Sequence, residues 1–285
     1  MRRTLMLLAL PLLVPALGPV WGQAREDVAA GKYAASLAKI FDLQARLSPI
    51  HPVLNKVYPV AIVEDKTFFI FEPADGVYRL ALVSPDTFNI SPGTRAAMPL
   101  SFWNGRIACV VTPEVFGQPD GYVFIFHEFV HCAQWENGEP KLKEGLSVYR
   151  AAMAAKDYMW ELQYPFPYTK PAFTDLYGEL LAALGQDDAA RVERLRQELR
   201  SLLSREEWEY LTWQEWKEGL ARYLENRMRA GLGLPENTGG EGLPYSRVTF
   251  YRGGDKFIRF LEKGRPGIAD DMEKLYYAMG EVGTS

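Results

Sequence analysis

The segment DGYVFIFHEFVHCAQ, residues 120–134, has the composition of a helix that lies in the interior of a protein. Asp120 can cap its first turn, and the apolar residues that follow cover nearly the whole circumference of a helix. A helix that is apolar on almost every side is typical of a core. His127, Glu128 and His131 interrupt this surface with ionisable groups, so their presence needs an explanation of its own.

The spacing of these three residues predicts a zinc site. His127 and His131 are four positions apart, so on a helix their side chains share one face and can bind one metal ion together. Glu128 can reach a water on that metal, which is the physical logic of the HExxH zinc motif. The alternative is two core histidines beside a solvated glutamate. We disfavour it, because Glu128 would then be an unpaired charge within an apolar helix.

A third zinc ligand has to come from elsewhere, because a catalytic zinc usually has three protein ligands and one open position. The chain has three histidines, and the remaining one, His51, lies far upstream. A carboxylate is therefore the simplest third ligand. Two similar segments offer one: KEGLSVY, residues 143–149, contains Glu144, and KEGLARYLE, residues 217–225, contains Glu218.

The region before the histidine helix predicts a small, mostly antiparallel sheet. Residues 57–111 are rich in β-branched and aromatic residues, and clusters of turn-forming residues divide them. The strands are expected at residues 57–63, 67–71, 77–83 and 106–111. The fold class that follows is α+β, because the rest of the chain has helical periodicity.

One helix is predicted before the sheet in the sequence, at residues 25–47. The others follow the sheet, at residues 120–134, 141–162, 172–184, 187–203, 255–263 and 269–279, with one more ending near Ala230. Ser204 with Glu207 forms one candidate capping box, and Thr212 with Glu215 forms another. The second box is expected to begin the helix that carries Glu218.

The first residues have the order of a secretory signal peptide. Arg2 and Arg3 precede an apolar stretch, residues 5–17, and small residues follow, so residues 1–22 are expected to be cleaved off after Gly22. The alternative is an uncleaved anchor. It is disfavoured because the stretch is shorter than the ~20 apolar residues of a spanning helix, and prolines interrupt it. The mature protein is therefore expected to be secreted or periplasmic, with no membrane span.

The charge distribution excludes one class of partner, and the two cysteines suggest a disulfide. The net charge is −4 and acids and bases are mixed along the chain, so there is no basic stripe for nucleic acid. Nothing in the sequence indicates an oligomeric state.

Cys109 and Cys132 are the two cysteines, and in an oxidising compartment they can pair. We expect a bridge from the strand at 106–111 to the histidine helix, with two buried free thiols as the alternative.

The histidine motif and the segment around Glu218 together resemble the gluzincins, the metallopeptidases in which a glutamate on a later helix completes the zinc site. Their glutamate helix often reads Glu-Gly-x-Ala-x-Tyr, which Glu218 matches with Ala221 and Tyr223. Glu144 has a serine in place of the alanine. The resemblance therefore implies that Glu218, rather than Glu144, is the third ligand beside His127 and His131.

A second segment, YRGGDKFIRFLE at residues 251–262, is similar to part of the gluzincin aminopeptidases. The tyrosine of that part hydrogen-bonds the oxyanion, and it falls on Tyr251 here; the alternative is an ordinary half-buried aromatic residue. Gly253 stands where that family has a lysine. The family's Gly-x-Met-Glu-Asn segment is absent, and His131 and Glu218 are much further apart than in the aminopeptidases. Aminopeptidase specificity is therefore not implied.

The gluzincin resemblance implies a zincin-like domain over residues 23–285, sheet-rich over 50–115 and helical over 120–285. The expected function is that of an exported zinc-dependent hydrolase, a peptidase acting on a peptide or protein substrate. Zn²⁺ would lower the pKa of its water to about 7, with Glu128 as general base and then acid. The strand at 106–111 would hold the extended substrate. The alternatives are a non-catalytic zinc-binding protein with a zincin-like fold and an exported binding module without metal.

Overall fold

The computed structural model describes residues 18–118, 120–186 and 188–281, with side chains from residue 27 onward. Residues 1–17 of the predicted signal peptide, which was expected to span residues 1–22, lie outside these ranges. The architecture is α+β, as predicted: a long helix, then a five-stranded sheet, then a part that is almost entirely helical. Among the described residues, no helix combines the length and the apolar character that are needed to cross a bilayer.

A five-stranded sheet follows helix α1 (Gly18–Leu47). The strands are β1 (Val60–Glu64), β2 (Thr67–Ala74), β3 (Val77–Pro85), β4 (Arg95–Leu100) and β5 (Arg106–Val111). Their order in the sheet is β3-β2-β1-β5-β4, and all neighbouring strands run antiparallel except β1 and β5, which are parallel. Four of them coincide with predicted strands to within a few residues.

Strand β4 was not predicted, and because it pairs with β5, β5 is not at the edge of the sheet. Its sequence, RAAMPL, contains two alanines and a proline, which are residues that strands disfavour. Pro99 is tolerated because β4 lies at the edge of the sheet, where a missing N–H breaks no ladder. Strand β5 therefore lies between β1 and β4, and the prediction that residues 106–111 form a free edge for a substrate was wrong.

The two faces of the sheet pack into separate apolar layers, because successive side chains of a strand point to opposite faces. Val60 and Cys109 belong to the main core, which the sheet shares with α1 and with the histidine helix. Ala61 and Val110 belong to a smaller cluster on the other face. The histidine helix is thus fixed against the sheet, close to strands β4 and β5.

The helical part begins with the histidine helix and continues to the C terminus. Its helices are α2 (Gly121–Glu136), α3 (Glu139–Glu144), α4 (Ser147–Ala154), α5 (Trp160–Gln163), α6 (Pro171–Gln186), α7 (Ala189–Leu202), α8 (Arg205–Gly231), α9 (Arg247–Gly264) and α10 (Met272–Glu281). The single helix predicted over residues 141–162 is divided into α3, α4 and α5. Leu146 has extended backbone angles and Lys156 is left-handed, and neither conformation continues a helix.

Helix α8 is longer than predicted. The Ser204 capping box forms and begins the helix, which then runs without a break for 27 residues. The helix start predicted at Thr212 was wrong, because Thr212 and Glu215 are buried inside α8. Glu215 pairs there with Arg196, at 2.6 Å between Oε2 and Nη1. Glu218 consequently lies near the middle of a rigid helix, whereas the prediction placed it about one turn inside.

Helix α9 also begins earlier than predicted, and it crosses α8 at two glycines. A Cβ atom on Gly219 would lie 2.5 Å from the Cα atom of Gly254, and one on Gly254 would overlap the backbone of α8. Glycine has a low helix propensity, but only glycine lets two helix backbones approach so closely. Tyr251 precedes Gly254 by about one turn, so the crossing holds Tyr251 beside Glu218.

Candidate metal centre

Three ligand atoms from two helices converge at one point. His127 and His131 on α2 and Glu218 on α8 each offer one atom, and these atoms all lie within 4.8 Å of one another. Glu218 Oε2 is 3.3 Å from His131 Nε2 and 4.0 Å from His127 Nε2. The two imidazoles are buried, and 12% of the Glu218 side chain is exposed. Two imidazole nitrogens and one carboxylate oxygen are a donor set that zinc prefers.

Hydrogen bonds hold both imidazoles in the tautomer that metal binding requires. Nδ1 of His127 is 3.0 Å from Oε2 of Glu225, and Nδ1 of His131 is 2.8 Å from Oε1 of Gln134. The Gln134 amide nitrogen donates to the backbone carbonyl of Lys217 at 3.1 Å, so its oxygen is the atom that faces His131. Because both partners accept, Nδ1 of each ring donates, and Nε2 is the nitrogen that faces Glu218 and can bind a metal once it has lost its proton.

Glu225 is itself held by a network of donors. Its Oε1 accepts from Arg229 Nε at 2.9 Å and from Asn237 Nδ2 at 2.8 Å, and its Oε2 accepts from Arg222 Nε at 3.2 Å. Burial opposes ionisation of this carboxyl, but His127, Asn237 and Arg222 together outweigh burial and lower its pKa to about 2. Glu225 is therefore a carboxylate fixed behind His127.

Glu218 and His131 stabilise each other's charges. Burial alone would lower the pKa of His131, but the nearby Glu218 carboxylate raises it to about 9. Burial likewise opposes ionisation of Glu218, yet His131 and Arg247 hold its pKa well below the usual range. Arg247 Nη1 donates to Glu218 Oε1 at 3.1 Å. The site thus attracts positive charge to the point where the three ligand atoms meet.

Glu128 lies one residue after His127 and faces the edge strand of the sheet. Its Oε2 accepts the backbone N–H of Ala97 in β4 at 2.8 Å. Its Oε1 has no hydrogen-bond partner within the described residues. The side chain is almost fully buried, and its charge acts on both His131 and Tyr251. One oxygen of Glu128 is therefore anchored and the other is available to a water.

Tyr251 is brought to the same place from α9. Burial raises the pKa of its hydroxyl, and the charges of Glu218 and Glu128 raise it further. The guanidinium of Arg247 lies 5.1 Å from the centre of its ring, and that of Arg222 lies 5.5 Å from it. All five residues selected from the sequence, His127, Glu128, His131, Glu218 and Tyr251, lie around one centre.

Other candidates lie elsewhere in the structure. Glu144 is exposed at the end of α3, away from the histidines. His51 is buried outside the cluster, where its Nε2 is 3.2 Å from the carbonyl oxygen of Ala269 and 3.1 Å from Oδ1 of Asp270. Cys109 and Cys132 belong to one apolar cluster but are free thiols, so the expected bridge is not formed.

The residues that orient the histidines were not predicted from the sequence. Glu225 follows Glu218 by seven positions, which is about two helical turns, so both lie on the same face of α8. Gln134 follows His131 by three positions, and such residues are neighbours on a helix. Both spacings were readable from the sequence. The contact of Ala97 with Glu128 was not, because β4 has no clear strand pattern.

Comparison of the chain with protein-family models, with curated proteins and with solved structures gave no significant match.

Proposed function

We propose that this protein is a zinc-dependent hydrolase of the gluzincin type, a peptidase that cleaves amide bonds in peptides or proteins. The observation that supports it best is the convergence of two imidazole Nε2 atoms and one carboxylate oxygen, with both Nδ1 atoms already committed to acceptors. Two core histidines would need neither a shared carboxylate nor the same tautomer. His127, His131 and Glu218 would hold the ion.

The chemistry divides among the zinc ion and two residues of the chain. When bound, zinc supplies a Lewis acid that activates water and polarises a carbonyl. Glu128 accepts a proton from the attacking water through Oε1, the oxygen that Ala97 leaves free, and delivers it to the departing amine. Tyr251 donates its hydroxyl hydrogen to the developing oxyanion. Its raised pKa keeps that hydrogen in place at neutral pH.

Strand β4, rather than β5, is the element that we propose to hold an extended substrate. It is the edge strand beside α2, and the Ala97 N–H points away from β5 toward Glu128. In an antiparallel pair, the N–H and C=O of one residue point to the same side, so the Ala97 carbonyl also faces the open edge. It can accept an N–H from a substrate chain that lies along β4.

Export is part of the proposal and rests on the N-terminal residues alone. Two arginines followed by the apolar residues 5–17 are the order of a signal peptide, and an exported peptidase would work outside the cytoplasm.

Metal analysis and one variant test the proposal together. Protein purified without added zinc should contain about one zinc per chain and should hydrolyse members of a broad peptide library. Glu128→Gln should keep the zinc, because Glu128 is not a ligand, and its amide oxygen can still accept the Ala97 N–H. Its turnover should fall by about 10²–10⁴-fold. Full turnover of Glu128→Gln would contradict the mechanism.

The same measurements separate the alternatives. Protein that contains no zinc would contradict the metal site altogether. Protein with firmly bound zinc but no hydrolysis across the library would favour the non-catalytic zinc-binding protein.

A further inference from the structure

Arg247 stands at the metal cluster with most of its hydrogen-bonding capacity unused. It is the first residue of α9, and 26% of its side chain is exposed. One nitrogen, Nη1, donates to Glu218. A guanidinium has five N–H donors, and among the residues that the structure describes Glu218 is the only hydrogen-bond partner of this one.

The charges around the site leave Arg247 without a counter-charge once a divalent ion is bound. Arg222 and Arg229 are paired with Glu225, and Arg229 is also paired with Asp120. The carboxylates that remain are those of Glu218 and Glu128, and their two negative charges balance a divalent cation. The guanidinium of Arg247 is then an uncompensated positive charge beside the reacting centre.

Strand β4, which contacts Glu128 through Ala97, carries a second arginine. Arg95 is exposed on β4, two residues before Ala97, and no carboxylate within the described ranges forms an ion pair with it. Its guanidinium lies 3.8 Å from the centre of the Phe124 ring, one turn before Glu128 on α2. Arg95 on the edge strand and Arg247 at the start of α9 both place a positive charge beside elements that carry site residues, which favours anionic substrates.

We propose that Arg247 determines specificity by binding a substrate carboxylate next to the scissile bond. The planar guanidinium matches a carboxylate with two parallel hydrogen bonds, which a lysine cannot reproduce. That carboxylate belongs either to an Asp or Glu side chain or to the free C terminus of the substrate. The inference rests on the proposed hydrolase function and narrows its substrates.

Matched peptides test this assignment. After the cleaved bond of one substrate has been mapped by mass spectrometry, Glu and Gln are exchanged at each neighbouring position, and each peptide is made with a free and with an amidated C terminus. The wild-type protein should cleave one carboxylate form about 10-fold or more faster than its amide, as charge-assisted hydrogen bonds allow. The Glu/Gln pairs and the acid/amide pairs identify which carboxylate is recognised.

Variants assign the preference to Arg247. In Arg247→Gln the ratio of kcat/KM between carboxylate and amide should fall to near 1, and in Arg247→Lys it should be intermediate. Arg79→Gln, an exposed arginine of β3 at the other edge of the sheet, should keep the wild-type ratio. Calorimetry with zinc-loaded Glu128→Gln should show the same preference in peptide affinity and its loss when Arg247→Gln is added.

Two results would overturn the inference and leave the hydrolase proposal intact. One is equal cleavage of every matched pair by the wild-type protein. The other is an Arg247→Gln variant in which all rates fall together and the ratio is unchanged, which would mean that Arg247 only holds Glu218. Protein without zinc and without hydrolysis of any peptide would instead contradict the hydrolase proposal itself.

Discussion

Nδ1 of His127 lies 3.0 Å from Oε2 of Glu225, while Nε2 of the same ring faces Glu218 at 4.0 Å. The ring is thus held between two carboxylates of one helix, seven residues apart. One carboxylate fixes the proton on Nδ1, and the other approaches the nitrogen that can bind a metal. Residues that orient a ligating histidine in this way raise its basicity and reduce the entropy lost when the metal binds.

Glu225→Gln should weaken zinc binding by about 10–100-fold, because the amide cannot satisfy His127 and both arginines at once. Loss of a buried charge should also lower the free energy of unfolding by about 3–5 kcal/mol. Competition with a chelator measures the first effect, and denaturant unfolding of the metal-free protein measures the second.

Glu215→Gln is the matched control for Glu225→Gln. Glu215 is also buried in α8 and paired with an arginine, Arg196, but it does not contact the histidines. It should lose stability and keep its zinc affinity. Equal zinc affinities in the two variants would show that Glu225 has no role in orienting His127.

The identity of the third ligand is decided by two alanine variants. Glu218→Ala should lose most zinc affinity, because it removes one of the three converging atoms. Glu144→Ala should keep the affinity, since Glu144 is exposed at the end of α3. Zinc content and chelator competition are measured for both. Release of the metal by Glu144→Ala, with retention by Glu218→Ala, would reverse the assignment.

The helix crossing gives a prediction about stability. Gly219→Ala should lower the free energy of unfolding by about 1–3 kcal/mol or more, because the added Cβ meets the Gly254 backbone at 2.5 Å and neither helix can move aside alone. It should also weaken zinc binding, since Glu218 is the adjacent residue. Gly185→Ala is the control: its Cβ would meet nothing within 4 Å, so stability should stay the same or rise. A neutral Gly219→Ala would mean that the two helices are not in close contact.

The parts of the site that could be predicted depend on short-range spacing. Two histidines four residues apart share a helix face whatever surrounds them, so α2 and its motif followed from the sequence. Glu218 was one of two carboxylate candidates and was preferred over Glu144 through the gluzincin resemblance, because its place beside His131 depends on how α8 packs against α2. The helix start predicted at Thr212 was wrong for a related reason. Thr212 lies inside a buried helix, where a sequence of the capping-box type does not mark a helix end.

The elements of the fold also divide into those that local sequence predicts and those that depend on tertiary contacts. The apolar strands β1, β2, β3 and β5 were predicted because their side chains pack into a core. Strand β4 was missed because its pairing with β5 stabilises a sequence that has little strand propensity of its own. Helix α9 was predicted to begin too late, since Gly253 and Gly254 disfavour a helix locally and are required by its crossing with α8. Tertiary contacts, which one sequence does not display, override local preference at each of these positions.

Tyr251→Phe tests the oxyanion role with a change of one atom. The charge of Glu218 acts on the hydroxyl of Tyr251, and a bound cation would compete for that carboxylate and leave the hydroxyl to the substrate. We expect kcat to fall by about 10²–10³-fold, the usual cost of one oxyanion donor, with little change in KM. Zinc content and the unfolding temperature should stay close to wild type, because the ring keeps its place between Arg222 and Arg247.

Tyr223→Phe is the matched control, since its hydroxyl accepts from Arg227 and it lies outside the metal cluster. Its kcat should be unchanged. Equal kcat values for Tyr251→Phe and the wild-type protein would remove Tyr251 from the mechanism and leave zinc as the group that stabilises the oxyanion.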